Sequence, residues 1–111
     1  MSAETLELIP TTYTLYLFPA DHPLRSQYTD LDMYTVTVEQ RSGIIGDAWA
    51  VCHSGRCYDG AEWDFEPRPS SRTKEWLAAH RFDQRTAINL AADAGLELRA
   101  MYERRISGAA R

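Results

Sequence analysis

Apolar and polar positions alternate most cleanly in two stretches of this chain. Over residues 33–40, Tyr34, Val36 and Val38 share one side and Thr35, Thr37 and Glu39 the other. Over residues 61–66, Ala61, Trp63 and Phe65 alternate with Glu62, Asp64 and Glu66. A period of two marks a strand with one face on a core, so the pattern predicts two strands, the second with its three acids turned to solvent. Residues 13–18 (YTLYLF) are aromatic and β-rich and stop at Pro19. Residues 47–53 (DAWAVCH) predict another strand, with Trp49 and Val51 on its core side. Turn residues separate these elements: a loop over residues 20–32, a turn over residues 42–46 (SGIIG), and Ser54-Gly55 in a second hairpin.

Pro67 and Pro69 end the strand pattern, because proline has no ladder donor. Ser70 or Ser71 then stands where a helix N-cap belongs, opening a short helix that carries Trp76 and Leu77 and ends near His80 or Arg81. Asp83 is the next cap candidate. Ala87, Ile88, Ala91 and Ala94 follow at the three-to-four spacing of a buried helical stripe. Gly95 reads as a left-handed helix terminus, which makes residues 96–102 a last strand. The alternative, a helix running through Gly95, costs about 1 kcal/mol relative to alanine. The expected fold is α+β, a small antiparallel sheet of four or five strands with two helices packed on one face. It forms a single domain over residues 1–111, with residues 1–10 a loose lead-in.

Composition adds limits. A length of 111 residues suffices for a real core. Residues 1–10 hold two glutamates and no basic group, which does not predict a signal peptide. No apolar run reaches the roughly 18 residues of a membrane span, so the expected location is cytoplasmic. Net charge is −4, unevenly laid out. Residues 1–66 carry three arginines against eleven acids, a net of −8, and residues 67–111 carry nine basic residues against five acids, a net of +4. That split bears on partners and association rates, not on fold.

Candidate chemistry gathers between residues 52 and 85. Cys52, His53, Cys57 and His80 include the donor types of a zinc site, but four residues part the cysteines and alternation turns Cys52 and His53 to opposite strand faces. The same divergence opposes a Cys52–His53 catalytic dyad. A disulfide is sterically open if the cysteines face each other across the hairpin; a reducing compartment favours free thiols. No metal or cofactor is expected. Glu62, Asp64 and Glu66 lie about 7 Å apart in succession on one strand face. That spacing suits paired-carboxylate chemistry but is also the ordinary solvated face of a sheet. Arg68, Arg72, Lys74, Arg81 and Arg85 surround the two helix starts, where phosphates bind, or they pair with the acidic strand face. The tyrosines of the first 34 residues, Tyr16 and Tyr28 among them, have the composition of a protein-contact surface.

Several of these residues carry a resemblance: Trp49-Ala50-Val51, Glu62-Trp63, Glu66-Pro67, Pro69-Ser70-Ser71-Arg72, Trp76-Leu77, His80-Arg81-Phe82-Asp83, Thr86-Ala87 and Leu90-Ala91. Over residues 49–91 the chain resembles a group of small uncharacterised proteins from actinobacteria and their phages. The shared motifs are strands, turns and caps, so the resemblance implies no catalytic residue. The expected function is a non-enzymatic accessory protein of the kind a phage or mobile element encodes, binding a protein partner through Tyr16, Tyr28, Glu62, Asp64 and Glu66. The alternative is a nucleic-acid-binding module using Arg68, Arg72, Lys74, Arg81 and Arg85; a zinc protein or an enzyme ranks below both.

Overall fold

The computed structural model describes Leu6, residues 8–23, Arg25, residues 34–41 and residues 48–109. The calls on Tyr28 and on the turn over residues 42–46 lie outside the described residues, as does part of the loop over residues 20–32. The strands are β1 (Thr12–Tyr16), β2 (Thr35–Gln40), β3 (Trp49–His53), β4 (Arg56–Tyr58) and β5 (Trp63–Phe65). They form one antiparallel sheet in chain order, β1-β2-β3-β4-β5. Two helices follow, α1 (Lys74–His80) and α2 (Gln84–Ala109). The architecture is α+β. No described helix is long and apolar enough to cross a membrane.

Alternation in the strands feeds two separate apolar clusters. Val36, Val38, Trp49, Val51 and Tyr58 point to one face and meet Ala87, Ala91, Ala94 and Leu98 of α2. The alternate positions Ala50, Cys52 and Cys57 form a smaller cluster on the opposite face, against Trp76 of α1. The helices therefore divide between the faces, where the sequence pattern suggested one shared face. Chain reversal after Pro67 decides this: a turn at Pro69–Ser71 brings α1 across the Cys52–Cys57 side before α2 crosses to the other.

Local capping departs from expectation by a few residues. Ser70 and Ser71 belong to the short 3-10 turn. The α1 N-cap is Thr73, whose Oγ1 accepts from the Trp76 amide at 3.0 Å. Asp83 caps α2 as expected, its Oδ1 accepting from the Thr86 amide at 2.7 Å, and the two Thr86 bonds hold its carboxyl below the usual range.

The largest correction concerns residues 96–102. They continue α2 and form no strand. Gly95 is an interior helix residue, and its missing side chain has a tertiary use: a Cβ there would stand 2.6 Å from Leu15 Cδ2 of β1. Glycine is placed for close approach of strand and helix, not for termination.

The inward row expected for β5 also changes. Ala61 lies in the turn before the strand, Trp63 is half-buried beside Tyr58 with ring centroids 4.6 Å apart, and Phe65 is 70% exposed. Phe65 does share the α2-facing side of the sheet, with the Arg56 guanidinium 4.4 Å from its ring centroid.

Candidate functional site

Two regions concentrate unusual chemistry. The first is the outer edge of β1. Thr11 O accepts from Gln40 N and Leu17 N donates to Tyr34 O, each at 2.9 Å. With the observed register, this parity turns the backbone groups of Thr12, Thr14 and Tyr16 away from β2. No strand pairs with that edge among the described residues. Every residue of β1 is exposed, and none is charged or proline. Such an edge is a template for another strand, and proteins normally blunt it with charge, proline or brevity. The opposite edge has all three: β5 is three residues long, holds Asp64 and runs into Glu66-Pro67.

Beside this edge, β1 and α2 leave an apolar groove. Tyr13, Leu15, Ile88 and Ala92 line one part of about 160 Å³, and Leu15, Ala92, Gly95 and Leu96 a neighbouring part of about 230 Å³. Leu15, Ile88 and Leu96 are 37%, 40% and 58% exposed. Leu6, Leu8 and Ile9, just before β1, are exposed as well.

The second region lies on the α1 side of the sheet. Glu66 is the hub of an ion-pair cluster: Oε1 accepts from Arg81 Nη2 at 2.7 Å and pairs with Arg72 Nη2 at 3.4 Å, while Oε2 pairs with Arg41 Nη1 at 3.3 Å. Arg41 also reaches Glu39 and donates to Cys52 Sγ, both at 3.2 Å. Cys52 and Cys57 are free thiols, 3.6 Å apart, on directly paired positions of the hairpin. The hydrogen bond from Cys52 lowers the Cys57 pKa to about 7. Donating its proton to Cys57 and being buried both push Cys52 up.

One row further out, Asp64 is paired in register with Cys57, and its Oδ2 lies 2.8 Å from His80 Nε2. His80 Nδ1 lies 2.7 Å from the Trp76 carbonyl oxygen, and the imidazole stacks on that indole at 4.1 Å. Among the described residues, Asp59, Asp64 and His80 bring potential metal-ligand atoms within 4.8 Å of one another. Asp59 Oδ1 is already engaged by the amides of Glu62 and Ala61, which lower its pKa.

The residues singled out by sequence thus have divergent settings. Tyr16 ends β1 under the Arg25 guanidinium, 4.6 Å from its ring. Glu62 is exposed in the Asp59 turn, whereas Asp64 and Glu66 are tied to α1 and the arginines instead of facing solvent freely. Arg72 and Arg81 converge on Glu66, while Arg68, Lys74 and Arg85 are exposed. His53 is on the α2 face, bonded to Thr35 O and Tyr102 Oη, away from both cysteines. Cys52, His53, Cys57 and His80 therefore do not converge on one point. Ile88, expected in the buried stripe of α2, is instead 40% exposed, because it lies at the rim where α2 meets β1, and Leu96 is on the same helix, not on a strand; the available signal for this surface was the uncharged run Thr12–Tyr16. Arg41 had no local signal, since its role depends on chain crossing. Comparison with family models, curated proteins and solved structures finds no match to this chain.

Proposed function

We propose that this protein is a binding module that captures a protein partner by strand addition to β1, as an accessory protein of a phage or mobile element would. The observation that carries the reading is the unblunted outer edge of β1 bordered by an apolar groove. In this mode of recognition, main-chain bonds supply affinity and side-chain pockets supply specificity. The partner is an extended segment with small or medium apolar side chains at alternate positions, laid along Thr12, Thr14 and Tyr16 with its apolar side in the Leu15–Ile88–Leu96 groove. Engagement of Arg72 and Arg81 by Glu66 favours this reading over nucleic-acid binding, because those two guanidinium groups already have a carboxylate.

Thr14→Pro is the discriminating variant. It removes an outward amide without breaking a β1–β2 bond, and proline is tolerated on an edge. Binding partners retained by the wild type in affinity capture should be lost by Thr14→Pro and by Leu15→Lys, with unchanged circular dichroism. Equal capture by both variants defeats the proposal. Sedimentation of the purified chain separates a foreign partner from a second copy of itself.

A further inference from the structure

The two cysteines occupy a geometry that packing alone does not require. Ser54 and Gly55 have φ of 50° and 75°, the doubly left-handed pair of a tight two-residue hairpin. His53 and Arg56 form its first pair and Cys52 and Cys57 its second. In such a hairpin the second pair is the non-hydrogen-bonded kind, where Cα atoms approach to about 4.5 Å, within the span of a disulfide. The sulfurs are already 3.6 Å apart.

Access and charge complete the site. Cys52 and Cys57 are 8% and 1% exposed, and both line a cleft of about 240 Å³ with Thr37, Glu39, Arg41 and Glu66. Only a small reagent fits there. Arg41 Nη2 stands 3.2 Å from Cys52 Sγ, and a cationic donor on sulfur stabilises thiolate and distinguishes reactive thiols from inert buried ones. The same cation opposes a metal ion at this position.

We propose that Cys52 and Cys57 form a hydroperoxide-reactive dithiol site that closes reversibly to a cross-hairpin disulfide. A thiolate of the pair attacks the terminal peroxide oxygen. The O–O bond breaks, an alcohol (or water) leaves after taking up a proton, and the sulfur becomes a sulfenic acid. The second sulfur then attacks the first, the S–S bond forms and water departs. Two thiols and one hydroperoxide yield one disulfide, one alcohol and one water; the electron pair passes from sulfur to oxygen. An external thiol reverses the change by exchange. Closure also removes the sulfur acceptor from Arg41, leaving it to Glu39 and Glu66.

The test uses the full chain with hydrogen peroxide or tert-butyl hydroperoxide, followed by thiol titration under denaturing conditions and intact mass. One equivalent should consume both thiols of a monomer, remove two hydrogens without adding oxygen, and be reversed by dithiothreitol. Cys52→Ser and Cys57→Ser should each gain oxygen and form no intrachain bond. Arg41→Gln should slow the reaction about fivefold at pH 7, the effect of one pKa unit on the thiolate fraction of a thiol that ionises near 7, while its far-UV circular dichroism matches the wild type. Persistence of both thiols in excess peroxide overturns the proposal. So does oxygen addition without a disulfide in the wild type, a disulfide formed only between chains, or an unchanged rate in folded Arg41→Gln.

Discussion

His53 Nε2 and the Tyr102 hydroxyl lie 2.9 Å apart across 49 positions of sequence. His53 Nδ1 donates to the Thr35 carbonyl at 2.8 Å, so Nε2 is the acceptor and Tyr102 the donor. The bond ties the C-terminal half of α2 to β3. Tyr102→Phe removes the donor while keeping the ring contacts with Tyr34 and His53. It should destabilise the fold by about 1–2 kcal/mol, because an acceptor on a mostly buried imidazole loses its partner. Urea unfolding monitored by tryptophan fluorescence measures this, and no change in midpoint would show that the bond is not formed.

Glu66 answers three arginines, of which Arg81 is the most enclosed, its side chain 9% exposed. Glu66→Gln should cost roughly 2 kcal/mol, less than the 3–5 kcal/mol of a fully buried broken pair because Glu66 keeps some solvent contact. Arg72→Ala should cost well under 1 kcal/mol, as expected for a more exposed partner. Equal effects of the two substitutions would contradict the hub.

At Gly95, two opposing effects have comparable size. Alanine improves helix propensity by about 1 kcal/mol, but its Cβ displaces a Leu15 methyl group. That methyl ends a flexible, partly exposed side chain, so Gly95→Ala should leave stability within about 0.5 kcal/mol of wild type. Gly95→Ile adds bulk toward both Leu15 and Leu17 and should destabilise by about 2 kcal/mol through overpacking. Thermal unfolding of the pair tests the close approach of β1 and α2.

The cysteine pair makes stability depend on pH with a definite sign. Cys57 ionises near 7 in the folded chain, against a model-peptide value of 9.0, so between those values the unfolded chain holds the extra proton. Stability should therefore rise from pH 7 toward pH 9 and fall away as pH drops through 7. Above 9 the unfolded chain also releases the Cys52 proton, which the folded chain retains, and stability should decline. Urea midpoints across this range should peak near pH 9 in the wild type. The rise from 7 should vanish in Cys57→Ser, and its persistence there would assign the effect to another group.

Strand alternation, the Ser54-Gly55 hairpin, the break at Pro67 and the Asp83 cap were legible locally, because each depends on residues within a few positions. So was the α+β class, and so was the opposed placement of Cys52 and His53, which follows from pleating alone. The β5 row misled for a reason visible in Phe65 and Glu66. Alternation states that two faces differ; it does not state which of them a distant helix will cover. Because α2 passes over the first strands and α1 over the Cys57 side, Phe65 is left in solvent while Glu66 gains three guanidinium partners.

Residues 96–102 show the same division between local and tertiary determinants. Leu96, Leu98, Ala100 and Tyr102 fit a strand by period, while Leu98, Met101 and Tyr102 fit a helix, and the chain's own pattern is compatible with both. Sequence by itself determined β1, β2, β3 and β5, the tight turn at Ser54-Gly55, the start of α2 and the charge split, but neither the short β4 nor the Thr73 cap of α1. Only the tertiary structure decided the length of α2, the buried side of β5 and the open edge of β1. Each depends on what a remote segment does: Leu15 packing on Gly95, Tyr102 reaching His53, and α1 closing over the cysteine face.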